Sequence, residues 1–342
     1  MGLILNAIDL ILFEKEKHEL QFEDKNILIM GYQDIYFSKE QVSKLFKCYS
    51  VKSTYIEGSG KSDVQLIDLF KDLGFGTVDV LDNSDYEGAN ILFDMNQRLE
   101  DKSLISKYDF ILDWGTIEHV FHAPNYINNI YDFLKKDGYY YGVTPMSGWV
   151  EHGFYQFSPV FFRDAFKDKW ETIFLKILNF KINSHTDDWH ILTYDYKNMH
   201  QYAMGGFDNQ LYQNYFLFKK TINRNKDNFI QQSHFEDRWN NGQEKNQIDE
   251  IQEISSQDDV LKKDIPKFIP IDVALNNNRK IKNIIMEFVN SFAKIFNYKV
   301  NINKINKNQE NIKETDDKND SCDSILRKYK EFTINSYKKI NK

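Results

Sequence analysis

The segment of residues 108–145 constrains the fold of this chain more than any other. It reads as an apolar strand, a polar turn, an amphipathic helix, a second turn and another strand. Polar side chains at the carboxyl end of a buried strand mark the edge at which open α/β sheets bind ligands. The segment therefore predicts an α/β ligand-binding site. The run after the first strand consists of Asp113, Trp114, Gly115, Thr116, Glu118 and His119.

The same alternation of apolar runs and helical patterns extends back to residue 26. Five apolar runs end in Gly, Asp or Pro and are separated by helices rather than by hairpin turns, which predicts a doubly wound, mostly parallel sheet. Right-handed crossovers would bring all five strand ends to one edge. The predicted strands are residues 26–30, 77–81, 91–93, 110–112 and 139–144.

The pattern changes after Pro145. A helix is predicted from Ser158 through Phe166, followed by closing strands at residues 170–182 and 215–221. The segment between those strands, rich in Asp, His, Tyr and Trp, is predicted to be irregular. Its polar cluster at residues 185–190 is either a mobile substrate loop or a solvated loop.

Four regions follow from these patterns. Residues 1–25 form an N-terminal helix packed on the core, residues 26–222 form the α/β domain, and residues 223–280 form a polar linker. Residues 281–342 are a helical or disordered extension, because much of it has too few apolar side chains to offset the entropy of ordering. Residues 281–296 form an amphipathic helix that either docks on the domain or binds a protein partner.

Composition argues against several partners and locations. The net charge of −7 is spread over interspersed acidic and basic residues, and a nucleic-acid binder would show a basic stripe. The two cysteines are far apart, which indicates unpaired thiols in a reducing cytoplasm. No apolar run approaches the ~20 residues of a membrane span. The N-terminal apolar run is short and broken by Asp9, so we expect no signal peptide, and attachment of this helix to a membrane surface is the alternative.

Three predicted strand ends carry candidate ligand-binding residues. Gly31 is the only glycine in the first turn, and the missing GxGxxG pattern argues against a pyrophosphate cofactor. Asp82 ends the second strand, where an acidic side chain either binds ribose hydroxyls or caps a helix. Asp94 and Met95 follow the third strand and either flank an adenine ring or form an ordinary turn.

The succession of these strand ends resembles that of the class I S-adenosylmethionine-dependent methyltransferases. The matching features are Gly31, Asp82, Asp94-Met95, the strand 110–112, the motif IEHV at 117–120, the helix 125–134, the turn KKDG at 135–138, and the strand that ends at Pro145. Four segments look like one bacterial branch of methyltransferase-like proteins, over roughly residues 20–222. These segments are GYQ at 31–33, DNSDYEGA at 82–89, GTIEHVF at 115–121 and HGFYQFSP at 152–159.

This resemblance implies a Rossmann-like, seven-stranded sheet that binds S-adenosylmethionine. The chain departs from the family at the first loop, where Tyr32 and Gln33 replace small residues. A module that no longer binds the cofactor and acts through a partner is therefore the alternative. The implied cofactor-binding residues are Gly31 and Gln33 at the methionine and ribose end, Asp82 and Ser84 at the ribose, Asp94 and Met95 at adenine, and Asp113, Trp114 and Gly115 near the sulfonium.

Methyl transfer is an in-line displacement in which positioning supplies much of the rate. A hydroxyl acceptor would also need a general base, and histidine titrates near neutral pH. His152 and His119 are the candidates, although His119 could instead brace its loop. Glu118, Tyr155 and Gln156 are the candidate acceptor-binding residues.

A metal site is not predicted. His119, His122 and His152, with Glu118 or Asp113, do not match HExxH spacing and form no complete ligand set. The sequence thus favours methyl transfer to a small molecule or a sugar, in a bacterial surface-glycan pathway by resemblance. The alternatives are a non-catalytic methyltransferase-like binding module and a metal-dependent hydrolase.

Overall fold

A computed structural model describes residues 2–180, 189–199, 210–221, 230–233, 235–236 and 331–333. These residues belong to one of the two compact units into which the chain divides, namely residues 1–236 together with 320–342. The predicted amphipathic helix at 281–296 and nearly all of the predicted linker and extension lie outside the described residues.

The described residues form helices and strands in the following bounds. The strands are β1 (Gly2–Leu3), β2 (Asn26–Met30), β3 (Asp34–Ile35), β4 (Thr77–Asp82), β5 (Ile91–Leu92), β6 (Tyr108–Trp114), β7 (Leu134–Ser147), β8 (Trp170–Phe180), β9 (His190–Thr193), β10 (Leu211–Lys220) and β11 (Glu331–Thr333). The helices are α1 (Leu5–Lys17), α2 (Lys39–Cys48), α3 (Thr54–Gly58), α4 (Leu66–Asp72), α5 (Ala123–Phe133), α6 (Pro159–Ala165) and α7 (Tyr196–Met199), with a 3₁₀ turn at Ile117–His119.

Nine strands form the main sheet, in the order β11-β9-β8-β10-β7-β6-β2-β4-β5. The half from β7 to β5 is parallel throughout, as the sequence predicts. The other half is mixed, because β10 runs antiparallel to both β7 and β8, and β9 runs antiparallel to β8. The parallel arrangement is thus confirmed for the five strands from β7 to β5, whereas the predicted seven-stranded, mostly parallel sheet is not confirmed, because the sheet has nine strands and is mixed.

The prediction of an irregular segment between the closing strands is wrong for residues 190–193, which form β9. Ile191 and Leu192 are both fully buried, and Trp189 before them is 2% exposed. This run lacks the alternation of a half-exposed strand, because both of its faces are covered. Residues 185–188 of the predicted polar cluster lie outside the described residues.

Strand alternation divides the core between the two faces of the sheet. In β2, Ile27 and Ile29 join the cluster that contains α1, α2 and α4. Leu28 and Met30 join the cluster on the other side, which contains α5 and α6. This two-residue period is what a strand buried on both faces produces. Within the described residues, no helix combines the length and apolar character that a membrane crossing requires.

A buried carboxylate ties the outer parallel strands together. Asp79 of β4 is 8% exposed and accepts hydrogen bonds of 2.8 Å from Asn90 Nδ2, Lys107 Nζ and Tyr108 Oη. Burial raises the pKa of Asp79, but these three donors favour the ionised form more strongly and hold the pKa below its usual value.

We expect Asp79→Asn to destabilise the protein in a pH-dependent way. At pH 7 the free energy of unfolding should fall by about 1–3 kcal/mol, because the charged acceptor is lost. A carboxyl with a depressed folded pKa contributes stability above its ordinary value of about 3.9 and loses it as the pH falls through the folded pKa. Urea titrations from pH 7 to pH 3 should show the difference shrinking below about pH 4. A constant difference would contradict this account.

Candidate functional site

The turn after β2 approaches its neighbours closely at Gly31. This residue has φ of +69°, and a Cβ on it would lie 2.9 Å from Thr116 Oγ1. Thr116 is held there because its hydroxyl donates to the carbonyl of Met30 at 2.7 Å. Gly31 is therefore required by both its backbone conformation and its contact with the turn after β6.

Gln33 lies in the same turn and is 2% exposed. Its Nε2 donates to the carbonyls of Met30, at 3.3 Å, and Gly31, at 3.4 Å. Its Oε1 is buried and has no hydrogen-bond partner among the described residues. A buried acceptor without a donor is costly, so this oxygen marks a place where a ligand's donor would be stabilised.

Asp82, at the end of β4, is half-buried, and its carboxylate links the end of β4 to the turn after β2. Its Oδ2 accepts from the Tyr32 N–H at 3.2 Å, and its Oδ1 accepts from the Asn83 N–H at 2.6 Å. A carboxylate offers about four lone-pair positions, so capacity remains for further donors. Ser84, two residues on, is exposed.

The third strand end forms a compact turn. Asp94 Oδ1 accepts from the N–H of Asn96 at 2.9 Å and from its side-chain Nδ2 at 2.8 Å. Met95 is 4% exposed and belongs to a core cluster, with its sulfur 3.9 Å from Asn129 Nδ2. The structure thus places Met95 in the core and Asp94 in the turn that the sequence left open as the alternative.

Asp113, at the end of β6, is fully buried and engaged by three donors. Its Oδ2 accepts from Tyr126 Oη at 2.8 Å and Tyr140 Oη at 2.7 Å, and its Oδ1 accepts from the Thr116 N–H at 2.8 Å. Burial raises the pKa of Asp113, while these hydrogen bonds oppose the rise. The carboxylate therefore holds β6, α5 and β7 together.

The two residues after Asp113 complete the strand end. Trp114 is 5% exposed and packs against the ring of Tyr141 at 6.1 Å between centroids. Gly115 has φ of +93°, which lets the chain turn sharply into the 3₁₀ helix. Both residues are buried at this edge of the sheet.

Glu118 is the second buried carboxyl group here, with no exposed surface. Its Oε2 accepts from Thr144 Oγ1 at 3.1 Å, whereas its Oε1 has no hydrogen-bond partner among the described residues. Burial, and then the nearby negative charge of Asp113, raise the pKa of Glu118 to about 8.

Two histidines, one from the 3₁₀ turn and one from the loop after β7, lie near this oxygen. His152 Nε2 lies 3.7 Å from Glu118 Oε1, and His119 Nε2 lies 4.0 Å from it. The imidazole centroids are 5.2 Å apart. Burial lowers the pKa of both histidines, and the positive charge of His152 lowers that of His119 further. A lower pKa favours the neutral imidazole, whose unprotonated nitrogen can accept a proton or bind a metal ion.

The loop after β7 brings His152 to Glu118. The Glu118 carbonyl accepts from the Phe154 N–H at 2.8 Å and the Tyr155 N–H at 3.3 Å. A Cβ on Gly153 would lie 2.9 Å from that carbonyl, so the loop needs a glycine there. The glycine in the motif HGF at 152–154 is the sequence signal for this close approach. The sequence does not reveal that the Glu118 carbonyl is its partner.

The other predicted acceptor-binding residues fix loops in the structure. Tyr155 Oη donates to the Phe121 carbonyl at 2.7 Å, and Gln156 Oε1 accepts from the Trp149 N–H at 3.2 Å. Trp149, which is not among the predicted site residues, has its ring centroid 4.9 Å from that of His152. His122 Nδ1 accepts from the Asn125 N–H at 3.2 Å and caps α5, so this nitrogen is not available to a metal ion.

Comparisons with known proteins give remote structural similarities. No family model matches the chain, and no curated protein matches it. YcgJ of Bacillus subtilis is 11% identical with a TM-score of 0.36, over 64% of this chain and 99% of that one. BH2331 of Bacillus halodurans is 10% identical with a TM-score of 0.33, over 63% and 99%.

A third solved structure is the N-methyltransferase NodS of Bradyrhizobium japonicum, in complex with S-adenosyl-L-homocysteine. It is 8% identical with a TM-score of 0.34, over 63% of this chain and 86% of NodS. At these scores and identities, the similarities assign neither a family nor an activity to this chain.

We expect the hydroxyl groups around Asp113 to be needed for stability. Tyr126→Phe and Tyr140→Phe each remove one donor from a buried carboxylate and should each lower the free energy of unfolding by about 1–3 kcal/mol. Tyr139→Phe is the matched control, since the described structure gives its hydroxyl no hydrogen bond, and it should change stability by less than about 0.5 kcal/mol. Equal effects of all three substitutions in urea unfolding would contradict the role of Asp113.

Proposed function

We propose that this chain is an S-adenosylmethionine-dependent methyltransferase that acts on a small molecule or a sugar. We further propose that it works in the cytoplasm of a bacterium, as part of a surface-glycan pathway. The observation that carries the proposal is the pairing of the Gly31 turn with the Asp82 carboxylate at adjacent strand ends, joined by the Tyr32 N–H. This edge of a doubly wound sheet is where such folds bind nucleotide-like ligands.

The residues at this edge fit one end of the cofactor well. Gln33 Oε1 is a buried acceptor that lacks a donor, and the ammonium group of the methionine moiety would supply one. Asp82 would accept from the ribose hydroxyls with its remaining lone pairs, with Ser84 exposed beside it. Gly31 lets this turn lie against Thr116, since a side chain there would meet the Thr116 hydroxyl.

The residues predicted near adenine and the sulfonium contribute differently. Asp94 is half-buried and remains a candidate for the adenine end. Met95, Asp113 and Trp114 are buried in the core. We therefore propose that they stabilise this edge of the sheet and do not contact the ligand. Gly115 shapes the turn between the two halves of the site.

The acceptor half would consist of the histidines on the neighbouring strand ends. When bound, the cofactor supplies an electrophilic methyl group on a sulfonium. A hydroxyl acceptor would lose its proton to Nε2 of His152 or His119, both of which lie beside Glu118 Oε1. Tyr155 and Gln156 would act by holding the loop that carries His152.

The test of this proposal is the effect of Asp82→Ala on cofactor binding. We expect wild-type protein to bind S-adenosylhomocysteine and Asp82→Ala to lose at least about tenfold in affinity, because one charged acceptor for the ribose is worth more than 1.4 kcal/mol. Asp85→Ala, an exposed carboxylate three residues along, is the matched control and should bind like the wild type.

Equilibrium dialysis of all three proteins, each checked for its fold by circular dichroism, measures this difference. If Asp82→Ala binds as tightly as Asp85→Ala, the assigned cofactor site is wrong. If none of them binds, the alternative of a non-catalytic module gains support.

A further inference from the structure

We propose that Glu118, His119 and His152 form a binding site for a divalent transition-metal ion of the Zn²⁺ type. This site goes beyond methyl transfer and does not depend on it. It is built from two imidazole nitrogens and one carboxylate oxygen, the ligand types that such ions favour.

The ligand atoms already lie close together. Glu118 Oε1 is 3.7 Å from His152 Nε2 and 4.0 Å from His119 Nε2, and one ligand atom from each of the three residues lies within 4.8 Å of the others. Zn–N and Zn–O bonds of about 2.0–2.1 Å place tetrahedral ligands about 3.3 Å apart. The site therefore needs a contraction of less than ~1.5 Å. The side chains of His119 and His152 are 44% and 26% exposed, so neither imidazole is enclosed in the core.

The unpaired oxygen of Glu118 points to a cation. Glu118 is fully buried, and Oε1 has no hydrogen-bond partner among the described residues. A buried carboxyl oxygen without a partner is unfavourable, and a metal ion bound to the ionised group would satisfy it. Thr144 Oγ1 donates to the other oxygen at 3.1 Å, as the outer hydrogen-bond partners of metal-binding carboxylates do.

The rest of the site fits an ion that also binds an exogenous ligand. His122 is the nearest additional histidine in sequence, but its Nδ1 caps α5. Three protein ligands with one open position are typical of catalytic rather than structural zinc sites. The partly exposed histidines leave that position accessible from solvent.

Metal binding and proton transfer would exclude each other at these histidines. A nitrogen bound to a metal ion has no lone pair left to accept a proton. The ion would therefore replace the proposed base, and it can be measured in the absence of cofactor. The sequence-based prediction of no metal site relied on HExxH spacing, which cannot detect ligands that only the fold brings together.

The experiment uses the full chain, stripped with EDTA and titrated with Zn²⁺ against a chromophoric chelator. We expect about one tightly bound Zn²⁺ per chain in the wild type. Glu118→Gln and His119→Ala should each weaken that binding by more than about tenfold. His122→Ala is the matched control, a neighbouring exposed histidine outside the ligand set, and should keep the wild-type affinity.

Each outcome decides the proposal. It is overturned if the wild type binds no Zn²⁺, if His119→Ala binds as tightly as the wild type, or if His122→Ala loses as much affinity. Because His119 is partly exposed, its variant remains informative even if Glu118→Gln fails to fold. Titration with S-adenosylhomocysteine in the same preparations separates a failure of this site from a failure of the proposed function.

Discussion

The burial of two carboxyl groups, one at the end of β6 and one in the 3₁₀ turn that follows it, is the constraint on which this structure depends. Asp113 and Glu118 have no exposed surface, and each must find partners within the protein. Asp113 finds three donors and thereby joins β6, β7, α5 and the turn that precedes the 3₁₀ helix. Glu118 finds a donor only for Oε2, and the buried Oε1 is left to the two histidines beside it. An unsatisfied buried group costs about 1–3 kcal/mol, a cost that the proposed metal ion would remove.

The two halves of the site follow from the parallel half of the sheet. Gly31 follows β2 and Asp82 ends β4, and the Asp82 carboxylate accepts a hydrogen bond from the Tyr32 N–H that joins these strand ends. β6 and β7 lead into the loops that carry Glu118, His119 and His152. Thr116 connects the halves, because its hydroxyl binds the Met30 carbonyl while its N–H binds Asp113. The polar groups around Gly31 and Asp82 and the titratable cluster around Glu118 thus lie at neighbouring strand ends, which is the arrangement that the proposed methyl transfer needs.

The sequence predicts those parts of the structure that depend on local pattern. Apolar runs locate β2, β4 and β6, since strands buried on both faces are continuous apolar segments. The sequence does not reveal whether a polar or adaptable side chain faces solvent or the core. Met95 and Asp113 illustrate this limit, because a strand-end methionine or aspartate suits a ligand or a core equally well until its neighbours are known. The Glu118 cluster depends on a contact between Gly153 and the Glu118 carbonyl that no spacing in the sequence encodes.

The central claim is that the edge formed by Gly31, Gln33 and Asp82 binds S-adenosylmethionine, and calorimetric titration of the purified chain tests it most directly. The account predicts micromolar binding of both S-adenosylmethionine and S-adenosylhomocysteine. The absence of binding at millimolar concentrations would contradict it and would indicate that Tyr32 and Gln33 have closed this edge to the cofactor.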